Sequence, residues 1–362
     1  DDIITAEVKK ISLSEKSGFQ LKDLTTLAQV SPNGIKLKNL KLTSQKSVIN
    51  SKEFNLISNG YDDFKYFVDS VSLDGKIEKS SLALDEVALF GHALEGMNDT
   101  VSVSGTISNK VKNLKLTDFK LGFKGKTNIK GDFNLPDYRN PKTHFHHQIV
   151  EYAYVDILEL ESLRLPNRMD KDYLSFDSKV KRLGFFEATE FRFDGFIEQF
   201  VVATDRINTL LGAARFNNGI MFTANKSTNS YFFQKSFASK YDVKIEEFNL
   251  GKFIGNKDMG QVDGLFFLSG EVKSISDIAF TEITGDVKRF DYLNYPYRDI
   301  SIVVGSYIND KFEGLIDIKD DNLNLTYDGY IDFKEDQKME FSVDLTDAFL
   351  KELNLTTIDA RI

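Results

Sequence analysis

The chain has 362 residues, 41% of them hydrophobic and 28% charged, and its 46 basic and 55 acidic side chains leave a net charge of −9. That balance excludes intrinsic disorder, and the mixing of both signs without a basic block argues against nucleic acid as a partner. Cysteine is absent, which excludes disulfides, thiol catalysis and Cys-based metal sites together.

Aromatic usage is lopsided, with 31 Phe and 14 Tyr but no Trp. Phe offers large apolar area without a polar atom to satisfy, so it suits a dry lining. The opening DDIITAEVKK has neither an initiator Met nor a leader pattern, and reads as a mature form or an internal piece of a longer protein. The longest apolar runs, such as GLFFL at 264–268, are far short of the ~20 residues of a transmembrane helix.

Taken in chain order, the first signal is VSPNGIKL, a turn with Pro32 and Asn33 at its centre and Gly34 at the left-handed position. GIKLKNLKL then changes phase between Leu37 and Leu40, as a bulge at Lys38-Asn39 requires. VSVSGTI sets Val101, Val103, Gly105 and Ile107 on one face. In FKLGFKGKTNIKGDFNL, residues 119–135, Phe119, Leu121, Phe123, Ile129, Phe133 and Leu135 share one face, while Lys120, Lys124, Lys126, Lys130 and Asp132 take the other. A period of two marks β-structure with one dry face and one wet face. One strand of that length would span about 56 Å, so a parity-preserving turn near Gly125-Lys126 is expected.

Pro136, Pro141 and Pro166 make 136–170 the expected irregular or hinge segment. NLGKFIGNKD predicts a short helix capped by Asn249, and TDAFLKELNL another capped by Thr346 or Asp347. DDNLNLTYDGYIDF places Leu323, Leu325, Tyr327, Gly329, Ile331 and Phe333 inward, with Asn324, Thr326, Asp328, Tyr330 and Asp332 outward. A Gly-x-apolar triplet recurs on the dry face, from Gly105/Ile107 to Gly329/Ile331. Gly270 and Gly285 are 15 residues apart, as are Gly314 and Gly329, which suggests a repeated hairpin unit. A dry-face Gly lets a strand coil sharply and leaves room for bulk from a neighbour.

Signals of chemistry are sparse. THFHHQIV sets His144 and His146 on one face of a strand, but without a carboxylate in the motif it reads as a surface strand with incidental His, not a metal site. No phosphate-cradling loop, nucleophile elbow or HExxH is present, so no catalytic residue, metal or cofactor is assigned and an enzyme is not expected. With few helix signals, periodicity leaves three covers for the dry face: a second sheet, barrel closure, or an open trough filled by apolar ligand.

The segments NLGKFIGNKDMG (249–260), YPYRDISI (295–302) and FEGLIDIKDDNLNL (312–325) resemble the TamB-like proteins of the Bacteroidetes, part of the AsmA-like group. LKLTSQKSVINSKEFNLI (40–57), IKGDFNLPD (129–137) and FDGFIEQFVVATDRINTLLGAARF (193–216) are similar too, so the resemblance covers most of the chain. It implies an all-β fold, a long curved antiparallel sheet folded into an open taco-like trough with an apolar interior. Residues 1–362 would be one continuous segment of it.

The implied function is a periplasm-spanning conduit that carries phospholipid acyl chains from the inner to the outer membrane. Its inner-membrane anchor would be a segment absent from this chain. Its partner would be an outer-membrane barrel-assembly protein of the TamA-like kind, met through regions outside this sequence. The groove lining would then be Phe119, Leu121, Phe123, Ile129, Phe133 and Leu135 together with Leu323, Leu325, Tyr327, Ile331 and Phe333. Two other readings stay open. One is a scaffold or chaperone for outer-membrane barrel assembly or secretion, which pairs strands at its sheet edges; the other is a plain β-sandwich domain.

Overall fold

The computed structural model describes residues 3–362 apart from 17, 90–93, 138–143, 165–172, 174, 197–198, 217–219, 224–238, 275–276 and 334–337. The fold is all-β: 66% strand against 11% helix, antiparallel and not closed into a barrel. Two compact units divide the chain, Asp1–Phe176 with Thr189–Ile197, and Asp177–Ala188 with Glu198–Ile362.

In the first unit, β1 (Ile4–Val8) and β2 (Leu13–Ser14) lie along one edge of β3 (Gln20–Ser31). From there the sheet is a meander through β4 (Gly34–Ser44), β5 (Val48–Ile57), β6 (Ser72–Ala83), β7 (Thr100–Lys110), β8 (Asn113–Phe123), β9 (Thr127–Pro136) and β10 (Phe145–Asp156). The β3–β4 turn is the expected one, with Ser31 opposite Gly34. Gly34 has φ 133°, and a Cβ there would stand 2.0 Å from the carbonyl oxygen of Leu56, so only glycine fits. The 119–135 stretch breaks at residues 124–126, where Lys124 (φ 49°) and Gly125 (φ 111°) make the turn. Phe123 faces Thr127 across it, both are buried, and Lys124 and Lys126 are exposed, so parity is kept.

Bulges fall at matching places in successive strands. Asn39, with φ 53°, is the extra residue of β4 at the Lys38-Asn39 position read from the sequence. Further shifts occur in β5 between Ser51 and Phe54, in β6 between Ile77 and Ser80, in β8 between Leu116 and Phe119, and in β10 between Val150 and Tyr152. They follow one line across the sheet, because Leu40 faces Ser51, Ser51 faces Ile77, Ile77 faces Gly105 and Phe119 faces Gly131. A bulge bends its strand and increases its twist, so bulges in line crease the unit's sheet. Buried hydroxyls satisfy the backbone groups that the bulges free: Thr26 donates to Lys38 O (2.9 Å), Ser51 to Lys76 O (2.7 Å) and Ser80 to Glu78 O (2.9 Å).

Short helices carry two carboxylates back to hairpin turns. Glu86, on α1 (Leu84–Ala88), is buried and accepts from the Ser44 hydroxyl, from Ser47 Oγ at 2.5 Å and from Lys46 N at 2.9 Å, all in the β4–β5 turn. Burial pushes its pKa up, but these hydrogen bonds outweigh that and leave the carboxyl below its usual range. Glu159, on α2 (Ile157–Glu161), does the same for the β8–β9 turn, accepting from Lys126 N (3.0 Å) and Thr127 N (2.7 Å). Segment 136–170 thus departs from the irregular stretch expected, since it holds β10 and α2. Pro136 closes β9, a strand end where its missing N–H is harmless, and Pro141 and Pro166 lie outside the described residues.

β11 (Phe185–Phe196) contributes residues 189–196 to the first unit and 185–188 to the second. The second unit also contains the antiparallel pair of β12 (Gln199–Ala203) and β15 (Ile220–Thr223). Its main run begins with β13 (Ile207–Thr209) and β14 (Gly212–Phe216), then β16 (Ser239–Asn249), β17 (Met259–Ser274) and β18 (Asp277–Tyr292). β19 (Tyr295–Tyr297) and β20 (Ile300–Ile308) share the next place beside β18. β21 (Lys311–Asp320), β22 (Leu323–Asp332) and β23 (Met339–Ala348) complete it. The α3 helix (Leu250–Ile254) is as expected: Asn249 Oδ1 accepts from Lys252 N at 2.8 Å, and Gly255 (φ 86°) ends it.

Two expectations are corrected in this unit. No helix begins at Thr346 or Asp347. Ala348 exchanges both backbone bonds with Ile362, 3.0 Å each, which holds 346–348 extended, and the chain turns only at 350–354. The 15-residue glycine spacing is also not a repeated hairpin. Gly314 faces Gly329 directly, whereas Gly270 faces Phe280 and Gly285 faces Phe266.

Candidate apolar binding face

In the second unit, strand register lines the inward residues of six strands into rows. Paired residues of antiparallel strands point to the same face, so the register decides what stands beside what. The first row is Leu345, Leu325, Ile318, Ile300, Val287 and Gly264, and the second is Val343, Tyr327, Ile316, Ile302, Gly285 and Phe266. The third is Phe341, Gly329, Gly314, Gly305, Ile283 and Leu268; the fourth is Met339, Ile331, Phe312, Tyr307, Phe280 and Gly270. All four rows are apolar apart from two tyrosine hydroxyls. Tyr307 gives its hydroxyl to Asp310 Oδ1 (2.9 Å), whereas the Tyr327 hydroxyl is buried with no partner beside the Phe341 ring.

The opposite face is wet. Thr326 donates to Asp317 Oδ1 at 2.8 Å, and the Lys311 ammonium sits 3.8 Å over the Tyr330 ring. Leu323, Leu325, Tyr327 and Ile331 therefore fall on the face that the sequence assigns them, each half-buried. Phe333 lies just past β22 and is 51% exposed, with its ring 6.4 Å from that of Tyr307.

The face is closed at one end and open at the other. Beside the first row, Leu353 (0% exposed) and Leu350 pack on Val287, Ile300 and Ala348, with Leu323, Leu345 and Ile318 around them. Nearby, β19 and the link that follows it are held to the β21–β22 turn by Asp320, which accepts from Arg298 N (2.8 Å), Asn322 N (2.9 Å) and the Tyr295 hydroxyl. Burial, aided by that carboxylate, pushes the Tyr295 pKa up to about 12. At the other end Met339, Phe341 and Val343 are 55%, 50% and 43% exposed. Five strand spacings of about 4.8 Å make each row roughly 24 Å long, against the ~15 Å that one leaflet's acyl chains occupy.

No protein-family model, curated protein or solved structure matches this chain. The reading of the face therefore rests on its own geometry.

The first unit treats its apolar face differently. Phe119 and Phe123 are buried in a cluster with Ile77, Val101 and Val103, onto which Phe133, Leu84 and Leu163 pack. Leu121, Ile129, Phe133 and Leu135 share that face and are half-buried. Here protein side chains cover much of the face, so Phe119 and Phe123 act as core. His144 Nε2 lies 3.4 Å from Asp194; the side chains of His146 and His147, and His92 altogether, are outside the described residues.

Sequence reasoning missed the hairpin-closing pair Glu86 and Glu159, which nothing in the local pattern marks. It also missed a bulge of acidic residue plus Phe at Asp118-Phe119 and Glu247-Phe248, where the acidic residues have φ 48° and 50°; Glu190, before Phe191, has a similar φ of 54°. In both bulges a carboxylate on the next strand takes the bulged amide, Asp132 from Asp118 N (2.7 Å) and Asp263 from Glu247 N (2.6 Å). The visible signal was an apolar spacing of three in place of two, as in Leu116…Phe119 and Ile245…Phe248.

Because the Tyr327 hydroxyl is buried and unpartnered, Tyr327→Phe is expected to raise the stability of the second unit by about 0.5–1 kcal/mol. Urea denaturation of both proteins checks this; a loss of stability would mean that the hydroxyl is satisfied.

Proposed function

We propose that the apolar face of β17–β23 holds lipid acyl chains and that the protein is a lipid conduit. The observation that carries this reading is the set of four apolar rows in register, three of them left 43–55% exposed at the β23 side. Each CH₂ kept from water is worth about 0.8 kcal/mol, so a ~16-carbon chain left in water would forgo on the order of 12 kcal/mol. A continuous apolar face lowers that barrier by contact alone, and lipid transfer of this kind needs no catalytic group.

The resemblance to TamB-like proteins points the same way. On that reading the protein works in the periplasm as part of a longer, membrane-anchored molecule, delivers phospholipid towards the outer membrane and cooperates with a barrel-assembly partner. Native mass spectrometry after mild purification is the direct test. Phospholipid masses retained on the folded chain are expected, and a chain that stays lipid-free when offered phospholipid vesicles would overturn the proposal.

A further inference from the structure

The first unit holds a cavity of about 460 Å³ that the acyl-binding face does not use. Pockets of this size take small ligands. Its walls come from α1, from the link 94–99 that leads into β7, and from Arg164, just past α2. Contacts to Asp99 fix this frame. Leu84 N donates to Asp99 O at 2.8 Å, Arg164 N donates to the Asp99 carboxylate at 3.3 Å, and the Lys124 ammonium stands 3.7 Å from the other oxygen of that carboxylate. Ala88, Leu89 and Met97 give the cavity an apolar side, with Met97 buried.

Two side chains of opposite charge line this cavity with polar atoms left over. Arg164 is half-buried, its Nε is shut off from solvent without a hydrogen-bond partner, and its guanidinium makes no ion pair among the described residues. Asp85 accepts from the Lys46 ammonium through Oδ2, while its Oδ1 is enclosed and takes no hydrogen bond. Leaving a buried charged donor or acceptor unmatched is costly, and arginine is seldom covered without a partner. A guanidinium presents a planar fork that fits phosphate or carboxylate, and the spare carboxylate oxygen of Asp85 calls for an N–H. We propose that the cavity binds a small zwitterion, with its phosphate or carboxylate on Arg164, its protonated amine on Asp85 and its linking carbons against Met97 and Leu89. The proposal is independent of the acyl-chain reading, because it uses polar groups of the first unit. A free compound and a lipid headgroup can both carry this chemistry.

The probes are O-phosphoethanolamine and β-alanine, titrated calorimetrically into the full chain. Saturable binding of at least one is expected. Its trimethylated counterpart, phosphocholine or β-alanine betaine, has no N–H for Asp85 and should bind at least about tenfold more weakly. Arg164→Met is expected to cost at least about tenfold in affinity, with the first unit as stable to urea as the parent's, since its guanidinium has no ion pair to lose. Asp85→Ala is expected to erase the preference over the trimethylated form, and it decides the matter should Arg164→Met fail to fold. Flotation with phosphatidylcholine vesicles containing phosphatidylethanolamine separates the two sources. Flotation that is lost in Arg164→Met supports the site as one for a lipid headgroup; binding of the soluble probe without flotation supports it as one for a free compound. Absence of binding by both soluble probes overturns the proposal, as does equal binding of the trimethylated forms by the parent. So does undiminished binding by a folded Arg164→Met chain, or a preference that survives Asp85→Ala.

Discussion

Phe341→Arg is expected to remove phospholipid from the chain, at least about tenfold by native mass spectrometry or photo-crosslinking, while the second unit stays folded. Phe341 heads the third row and is 50% exposed, so an arginine there reaches solvent and its cost to folding should stay within about 1 kcal/mol. A ligand acyl chain lying along the row would nevertheless meet a cation. Leu325→Arg makes the contrast. Leu325 stands between Ile318 and Leu345, both packed at the closed end, and a charge there is expected to destabilise the unit by about 3 kcal/mol or more. Full lipid retention by a folded Phe341→Arg chain would mean that acyl chains do not pass the third row.

Glu86→Ala is expected to lower the stability of the first unit by about 2–3 kcal/mol at neutral pH, because it orphans donors in the buried β4–β5 turn. The effect should depend on pH with a definite sign. The folded pKa of Glu86 lies below its ordinary 4.5, so the stabilisation is fully present above that value and fades as pH falls through the folded pKa. Urea denaturation of both proteins should show the wide gap of pH 7 narrowing towards pH 3. A gap that stays constant between those pH values would show that the carboxylate's charge is not what holds the turn.

Strand faces were legible in the sequence because alternation has a period of two and one face must stay dry. Phe123 and Lys124, or Tyr327 and Asp328, could be assigned from neighbours alone. Phase changes were legible where a turn-prone residue marked them, as at Asn39, and escaped notice at Glu247, where an ordinary acidic residue takes the left-handed conformation. What fills a face was not legible. The six apolar residues of 119–135 and those of 323–331 read alike, yet Phe119 and Phe123 are buried under side chains that include Leu84 and Leu163, distant in sequence, while the rows headed by Val343, Phe341 and Met339 stay open at β23. Glu86 and Glu159 escaped for the same reason, since each acts on a hairpin more than thirty residues away.

The meander of β3 to β10 has a consequence for how this molecule comes apart. Each strand from β4 to β9 is paired with the strand before it and the strand after it in the chain, and most carry their own bulge in the common crease. Such an array is close to one-dimensional, its free energy a sum of strand terms and nearest-neighbour interfaces, much as in solenoid proteins. Fraying from an end removes one interface at a time and leaves the crease of the remaining strands in place. Length then becomes a free variable: a hairpin inserted or deleted with its bulges in register changes how far the sheet extends and leaves its cross-section as it was.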